Sequence, residues 1–205
     1  MLYSIYSLLY TIVQVTKDKS YYLLYGSSDE EYEDGYIIVD RMRKKPLTES
    51  IYDHISAPFI KLTSIDNSIY LGNAYNAADY YYLKKFGITG IVNACNEISN
   101  YFEDDFEYFK IDILDINNSS IYKFFDPFIT FVENILNDNG KIMIHCYMGS
   151  SRSAILVVLY LIKYKSYTMD DSIRFITDKR NRVNINVTYI EELKKYLNNK
   201  NIKYE

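Results

Sequence analysis

Cysteine, tryptophan and basic charge are scarce in this chain of 205 residues, and a long apolar run is absent. Its two cysteines cannot build the disulfide framework of a small secreted domain. Without a run of about 20 apolar residues, no membrane span is expected. Asp and Glu (27) outnumber Lys and Arg (23), and the net charge of −4 argues against a general nucleic-acid-binding protein, which would normally be basic.

The chain does contain a large apolar fraction and much tyrosine. Hydrophobic residues make up 48% of the chain, which is enough for a core, and the length suits one compact domain with an extension. The 24 tyrosines, with no tryptophan, are typical of a compositional bias rather than of a function. Composition therefore indicates a globular protein, and the motifs must indicate its activity.

The most informative segment is residues 145–153, His-Cys-Tyr-Met-Gly-Ser-Ser-Arg-Ser. An apolar strand is predicted before it, and an apolar helix over 154–162 follows it. A loop between a strand and a helix N-terminus directs backbone N–H groups at one point, which favours anion binding. Cys146 would lie in that positive field as a thiolate, and Arg152 can bind a tetrahedral anion through two parallel N–H bonds. These residues predict the nucleophile and the phosphate site of a cysteine-dependent phosphatase.

This segment resembles the H-C-x-x-G-x-x-R-S signature of the protein tyrosine phosphatase superfamily, and its surroundings resemble the dual-specificity branch. That branch typically has a Tyr-Leu-Gly segment, an Ala, a strand ending in Asn, an acidic loop, paired aromatic residues and a Pro. The corresponding residues follow in the same order as Tyr70-Leu71-Gly72, Ala77-Ala78, 88–93, Asp115, Phe124-Phe125 and Pro127. The resemblance extends over residues 60–198 and implies an α/β fold, with a central, mostly parallel sheet flanked by helices.

The resemblance also implies roles for the residues of this segment. Cys146 attacks phosphorus and forms a phosphocysteine, while Arg152 binds two phosphate oxygens. Ser153 donates a hydrogen bond to the sulfur, and His145 organises the loop rather than acting as a base. We call residues 146–151 the signature loop. The remaining phosphate oxygens are expected to bind main-chain N–H groups, which belong to Tyr147, Met148, Gly149, Ser150, Ser151 and Arg152.

A proton donor for the leaving oxygen is expected among the carboxylates that precede the signature loop. Asp115 is favoured, because it follows a strand predicted over 108–114 and its distance from the paired aromatic residues matches the family pattern. Asp112 is the alternative, although it lies within the apolar alternation of that strand. The first step needs both a thiolate and a protonated acid, so activity is expected to peak on the mildly acidic side.

Other residues are expected to support the site. Asn186 resembles the Asn that braces the signature loop, although Ile185 stands where the family has Pro. Asn93 is expected to brace the sheet edge in a similar way. In some relatives a cysteine at the place of Cys95 forms a reversible disulfide with the nucleophile, here Cys146, and protects it from oxidation. The alternative interpretation of Cys95 is a small core residue.

The substrate is expected to be a phosphorylated protein. No long insertion lies between Gly72 and Asp115 to deepen the pocket, so phosphoserine and phosphothreonine are expected substrates beside phosphotyrosine. Arg180 and Arg182 either contact a second phosphate or an acidic substrate, or are plain surface charges. The alternatives are a catalytically inactive phosphoprotein-binding relative and a phosphatase that acts on RNA 5′-phosphates or phosphoinositides.

The remaining expectations concern partners and location. No cofactor or metal is expected to be needed for the reaction, and neither a nucleic acid nor a membrane is expected as a binding partner. A thiolate nucleophile needs a reducing compartment, which favours the cytoplasm or the nucleus. Residues 1–15 are apolar but lack a basic start and a small-residue cleavage site, so a signal peptide is not expected.

Residues 1–58 do not match the family and are predicted to be an extension of a dual-specificity phosphatase catalytic domain at 59–205. Apolar residues at helical spacing predict a helix over 2–13, which either packs on the core or forms a homodimer or a docking element. An acidic loop is predicted over 29–35 and a basic linker over 41–46. The other predicted elements are strands over 21–25, 36–39 and 88–94, helices over 76–86 and 187–197, and helices with Asp126 and Thr168 as N-caps.

Overall fold

The computed structural model describes residues 56–115 and 119–205, together with the backbone of three short strands between residues 32 and 46. The chain divides into two compact units, Met1–Ile55 and Ser56–Glu205, each of which is described by itself. The functional division of the chain at residues 58 and 59 stays a prediction.

The first unit contains a three-stranded antiparallel sheet in the order β1-β2-β3. Its strands are β1 (Tyr32–Glu33), β2 (Tyr36–Ile38) and β3 (Lys44–Pro46). β2 confirms the strand predicted over 36–39. The helix predicted over 2–13 and the strand predicted over 21–25 lie outside the described residues.

Two predictions for this unit are wrong. The acidic segment is not wholly a loop, because Tyr32–Glu33 pairs with β2. An Asp-Gly pair between two strands is a typical sequence signal of a β-hairpin, and this chain has Asp-Gly at 34–35, between β1 and β2. The basic segment is not wholly a linker, because Lys44–Pro46 pairs with β2 at the edge of the sheet. Lys and Pro are common in edge strands, where one side needs no ladder partner.

The second unit contains a five-stranded sheet in the order β4-β5-β8-β6-β7. Its strands are β4 (Thr63–Ser64), β5 (Ile69–Gly72), β6 (Gly90–Asn93), β7 (Glu107–Lys110) and β8 (Ile142–His145). β4 is antiparallel to β5, and the other neighbouring pairs are parallel. This arrangement confirms the predicted fold class, a mostly parallel sheet in an α/β protein.

Both faces of the sheet are covered, which explains the uninterrupted apolar character of its central strand. Every residue of β5, β6 and β8 is buried. Side chains alternate between the two faces of a strand. In β8, Ile142 and Ile144 join the larger core, whereas Met143 joins a smaller core with Leu83.

Six α-helices lie in the described part of the second unit. They are α1 (Ala74–Ala77), α2 (Tyr80–Phe86), α3 (Phe125–Asn137), α4 (Arg152–Lys165), α5 (Met169–Lys179) and α6 (Val187–Asn199). α4 packs against β5, β8, α3, α5 and α6, so its apolar character on all sides follows from its central place. Among the described residues, no helix combines the length and the apolar character that crossing a membrane would need.

The single helix predicted over 76–86 is wrong, since two short helices occupy this region. The carboxylate of Asp79 accepts a hydrogen bond from the N–H of Tyr82 at 3.0 Å and caps the start of α2. The predicted end is confirmed, because Gly87 takes the left-handed conformation at the C-terminus of α2, with φ of 71°.

Two further boundaries differ from the prediction. The strand predicted over 108–114 ends at Lys110. Asp126 is not an N-cap, because α3 begins one residue earlier, and its carboxylate accepts a hydrogen bond from the hydroxyl of Tyr196 at 2.7 Å. Thr168 is confirmed as an N-cap, with its hydroxyl accepting the N–H of Asp171 at 3.1 Å.

Candidate active site

The signature loop connects the central strand β8 to the buried helix α4. Because β5, β8 and β6 are parallel neighbours, the loops that follow these three strands meet at one edge of the sheet. In that position the N-terminus of α4 and the main-chain N–H groups of the loop can act on one bound anion.

The sulfur of Cys146 lies inside this loop and is nearly inaccessible, with 1% of the residue exposed. It accepts the N–H of Gly149 and the hydroxyl of Ser153, each at 3.2 Å. Gly149 has a φ of 70°, and a Cβ there would lie 2.3 Å from the carbonyl oxygen of Gly72. Only glycine therefore fits at this position, and its N–H is directed at the sulfur.

Arg152 is 3% exposed and is held through one nitrogen. Its Nη1 donates to Oε2 of Glu97 at 2.7 Å and to the carbonyl of Ile113 at 3.0 Å. Its Nε is buried 3.9 Å from Oδ2 of Asp115 and has no hydrogen-bond partner among the described residues. Burial lowers the pKa of Arg152, but the charges of Cys146, Glu97 and Asp115 raise it overall. An unsatisfied buried N–H on a permanent cation marks a place where an anion oxygen can bind.

Of the two candidate acids, only Asp115 contacts the signature loop. Its Oδ1 accepts the hydroxyl of Ser151 at 3.0 Å, and its side chain is 26% exposed. The Asp112 side chain is 66% exposed and is paired with Lys110 at 3.5 Å. The apolar alternation around Asp112 therefore does not mark a strand, because β7 has already ended.

His145 is buried at the end of β8, and its Nδ1 lies 3.4 Å from the carbonyl oxygen of Cys146. Burial lowers the pKa of His145 to about 3, with smaller contributions from the charges of Lys110 and Arg152. The imidazole is therefore neutral at physiological pH, and its contact is with the loop backbone.

Arg180 is buried against the outer side of the signature loop, so both interpretations of this residue from the sequence are wrong. It is 3% exposed, and its Nε and Nη2 donate to the carbonyls of Gly149 and Met148 at 2.9 and 3.1 Å. Its Nη1 donates to the carbonyl of Lys61 at 3.1 Å and the hydroxyl of Thr63 at 3.2 Å. Arg180 is thus neither a surface charge nor a contact for a second phosphate.

Arg182 and Asn186 lie farther along the same segment. The Nη2 of Arg182 donates to the hydroxyl of Ser56 at 2.7 Å. Asn186 touches the signature loop through its backbone, since its N–H donates to the hydroxyl of Ser151 at 3.1 Å. The side chain of Asn186 instead caps α6 by accepting the N–H of Thr188 at 2.9 Å.

The loop after β6 is built around Asn93 and Lys110. The buried amide of Asn93 donates to the carbonyl of Ile98 at 2.9 Å and accepts the thiol of Cys95 at 3.1 Å. The ammonium of Lys110 donates to the carbonyls of Cys95 and Ile98. These contacts fix the loop that carries Glu97. Cys95 is fully buried, and burial raises its pKa to about 12.

Sequence reasoning missed Glu97 and the buried position of Arg180. An acidic residue four positions after Asn93, in the loop beside the nucleophile strand, is a signal that could have indicated Glu97. In the signature loop, Ser150 contacts the segment between Arg182 and Asn186, because its carbonyl accepts the N–H of Asn184 at 2.9 Å. Within the described residues, no group of three or more His, Cys, Asp or Glu side chains is placed to hold a metal ion.

Comparison with known proteins places this geometry in a family. Residues 69–199 match the family described as dual specificity phosphatase, catalytic domain. The chain is 34% identical over 134 residues to human dual specificity protein phosphatase 21, which covers 65% of this chain and 70% of that protein. It is 28% identical over 189 residues to a probable rhodanese domain-containing dual specificity protein phosphatase of Dictyostelium discoideum, covering 92% of this chain.

Solved structures give the same result. The human tyrosine phosphatase-like serine/threonine/tyrosine-interacting protein superposes with a TM-score of 0.64 and 26% identity, over 68% of this chain and 97% of that one.

The chain spans only 40% of the Dictyostelium relative, 13% of the Drosophila melanogaster protein phosphatase Slingshot and 34% of Xenopus laevis dual specificity protein phosphatase 1-A. With the catalytic-domain match over residues 69–199, the chain belongs to the dual-specificity phosphatase family of protein phosphatases.

Proposed function

We propose that this protein hydrolyses phosphotyrosine, phosphoserine and phosphothreonine in proteins through a phosphocysteine intermediate. The observation that carries the proposal is that three features meet around one loop: the Cys146 sulfur, two hydrogen-bond donors to it, and the Nε of Arg152, which has no hydrogen-bond partner among the described residues. A thiolate needs such donors, and a phosphate oxygen needs such an N–H.

In the first step the Cys146 thiolate attacks phosphorus and forms the sulfur–phosphorus bond. The phosphorus–oxygen bond to the substrate breaks, and Asp115 gives its proton to the leaving oxygen. Arg152 and the N–H groups of the signature loop bind the phosphoryl oxygens, whose charge is spread over all three in the transition state.

In the second step water attacks the phosphocysteine. The carboxylate that Asp115 now carries takes the proton from the water, and the sulfur–phosphorus bond breaks to release inorganic phosphate. The leaving sulfur regains its negative charge, which the hydroxyl of Ser153 and the N–H of Gly149 stabilise from 3.2 Å.

The position of Asp115 supports its role as the acid. It lies 3.9 Å from the Nε of Arg152 and accepts a hydrogen bond from the signature loop, so its carboxyl is near any phosphate bound there. The reaction needs a protonated acid and an ionised sulfur together, and kcat/KM is therefore expected to peak on the mildly acidic side. A rate that rises steadily to pH 9 would contradict this assignment.

The test is hydrolysis of p-nitrophenyl phosphate by the reduced protein and three variants. We expect no turnover for Cys146→Ser and a kcat about 10²- to 10⁴-fold lower for Asp115→Asn. Asp112→Asn is the matched control, because this exposed carboxylate lies three positions earlier, and it should stay within about 2-fold of wild type.

Folded, reduced wild type without turnover would instead favour the phosphoprotein-binding alternative, and a phosphopeptide pull-down would test that. Release of inorganic phosphate by wild type is also compared for an RNA 5′-phosphate, a phosphoinositide and a phosphopeptide. Faster release from the RNA or the phosphoinositide would favour that alternative. A phosphorylated protein as substrate, a location in the cytoplasm or nucleus, and a homodimer through the helix predicted over 2–13 remain predictions.

A further inference from the structure

The backbone immediately before Asp115 is hydrogen-bonded to helix α6. The hydroxyl of Tyr189 donates to the carbonyl of Leu114, the residue that precedes Asp115, at 2.8 Å. Tyr189 is fully buried, and its side chain belongs to the larger core. Burial raises the pKa of Tyr189, and the charge of Asp115 raises it further, so the hydroxyl keeps its proton and remains a donor. Tyr189 therefore fixes the backbone from which the acid side chain extends.

The backbone that follows Asp115 is hydrogen-bonded to the same helix. Oε2 of Glu192 accepts the N–H of Ile121 at 2.7 Å and the N–H of Tyr122 at 3.0 Å. Hydrogen bonds to a carboxylate are stronger than those between neutral groups. Tyr189 and Glu192 lie three positions apart, a spacing that places them on the same side of α6. One side of α6 thus holds the chain both before and after Asp115.

The N-terminus of α6 also orients the carboxyl group of Asp115. The N–H of Asn186, the N-cap residue of α6, donates to the hydroxyl oxygen of Ser151 at 3.1 Å. That hydroxyl donates its single proton to Oδ1 of Asp115 at 3.0 Å. When Asp115 is protonated, its own proton is therefore on Oδ2, the oxygen that lies 3.9 Å from Nε of Arg152. This oxygen is on the side where the phosphate is proposed to bind.

We propose, on the basis of the function proposed above, that Tyr189 and Glu192 are positioning residues through which α6 holds Asp115 for proton transfer to the leaving oxygen. The transfer needs the acid within about 2.6–3.2 Å of that oxygen. A displacement of about 1 Å can lower a rate about 10²-fold. The side chain of Asp115 is 26% exposed, so its position depends on the backbone that carries it.

The proton of Asp115 matters most for a substrate with a poor leaving group. When the phosphorus–oxygen bond breaks, its electron pair goes to the leaving oxygen, which takes the proton from Asp115. The p-nitrophenolate ion is stable and leaves with little help, whereas phenolate is more basic and needs the proton. A variant with a displaced Asp115 should therefore lose more kcat/KM with phenyl phosphate than with p-nitrophenyl phosphate.

The test measures kcat/KM of the full chain for both esters. We call kcat/KM for p-nitrophenyl phosphate divided by kcat/KM for phenyl phosphate the leaving-group ratio. We expect Tyr189→Phe to raise this ratio about 3- to 10-fold and Glu192→Ala to raise it about 10-fold, because each variant frees one end of the backbone around Asp115. Glu192→Gln keeps an oxygen acceptor for the two N–H groups and should keep the ratio near that of wild type.

Two other residues of α6 provide matched controls. Tyr196 is buried, and its hydroxyl donates to Asp126 at 2.7 Å, so Tyr196→Phe removes a comparable hydrogen bond from the same helix. Glu191 is paired with Lys194 at 3.1 Å, and its side chain is 64% exposed. Tyr196→Phe and Glu191→Ala should leave the leaving-group ratio within about 2-fold of wild type.

The Asp115→Asn background distinguishes positioning of the acid from general damage to the fold. In this background Tyr189→Phe should lower kcat/KM for either ester by no more than about a further 2-fold, because no proton is left to position. If the two changes multiply instead, or if Tyr189→Phe and Glu192→Ala lower both esters by one factor in the wild-type background, these residues only stabilise the fold. Folded, reduced wild type that hydrolyses neither ester would overturn the proposed function as well.

Discussion

Replacing Arg180 tests how the signature loop acquires its shape. The guanidinium holds the carbonyls of Met148 and Gly149 at 3.1 and 2.9 Å. In a planar trans peptide the C=O and the following N–H point in opposite directions. The N–H of Gly149 is therefore directed inward, and it meets the Cys146 sulfur at 3.2 Å. By the same geometry, the N–H of Ser150 is directed away from Arg180. Arg180 is thus a positioning residue for two backbone donors.

The expected losses of stability and of kcat on replacement of Arg180 follow from its contacts. A hydrogen bond from a charged group contributes about 1.5–3 kcal/mol, and an ammonium cannot make all four bonds of this guanidinium. We expect Arg180→Lys to lose about 2–4 kcal/mol of stability. Removal of one well-placed oxyanion donor typically lowers kcat by about 10²- to 10³-fold, so misorientation of two donors without their removal should lower it about 10- to 100-fold.

The assay measures kcat, KM and inhibition by inorganic phosphate at a temperature well below the melting transition of each variant. We expect Arg180→Lys to lower kcat and to weaken inhibition by phosphate. Under the proposed mechanism the same loop N–H groups bind the phosphoryl oxygens in the transition state and the oxygens of inorganic phosphate. Arg174→Lys is the matched control, since Arg174 lies on the same helix, α5, with 71% of its side chain exposed. A folded Arg180→Lys variant with wild-type kcat and phosphate inhibition but a lower melting temperature would refute the reasoning, because Arg180 would then only stabilise the fold.

The remaining predictions concern three buried or half-buried groups. Glu97→Ala should lower kcat/KM for p-nitrophenyl phosphate about 10-fold, whereas Glu97→Gln should keep most of it, because an amide oxygen can still accept Nη1 of Arg152; equal loss in both variants would contradict this. Burial lowers the pKa of His145 to about 3, so the unfolded chain binds the extra proton below about pH 6.5. Stability should therefore fall by about 1.4 kcal/mol per pH unit as the pH drops below that value, and urea melts of His145→Asn at pH 7 and 5 should show a smaller loss than wild type. After peroxide treatment, dithiothreitol should restore wild type but not Cys95→Ser if Cys95 protects Cys146 by a disulfide; equal recovery of both would exclude that role.

The parts of the site that could be predicted from the sequence are those in which the interacting residues are close along the chain. Cys146, Gly149, Arg152 and Ser153 share one strand–loop–helix unit, so their spacing alone predicts that their groups converge. The fold class follows in the same way, because the alternation of apolar strands and helices is visible locally. Asp115 was indicated both by its place after a predicted strand and by the family pattern of spacing, although that strand ends at Lys110.

The parts that could not be predicted depend on partners far away in the chain. Arg180 bonds to Gly149 and Lys61, which are 31 and 119 positions away, and the sequence carries no sign of either pairing. Arg152 pairs with Glu97 across 55 positions. A charged residue is normally exposed, so burial of an arginine becomes visible only when the fold brings carbonyls or carboxylates to it.

The two buried arginines differ in a way that sets the charge of the site. Arg152 faces the carboxylates of Glu97 and Asp115, whereas Arg180 is paired with no carboxylate among the described residues and is held by neutral oxygens. Burial lowers the pKa of Arg180 to about 10, with Cys146 acting in the opposite direction, so the guanidinium stays charged at neutral pH. Within the described part of the chain no carboxylate pairs with this charge, which acts on the signature loop from within a low-dielectric surrounding. A chain with a net charge of −4 can in this way keep a positive site for a phosphate dianion.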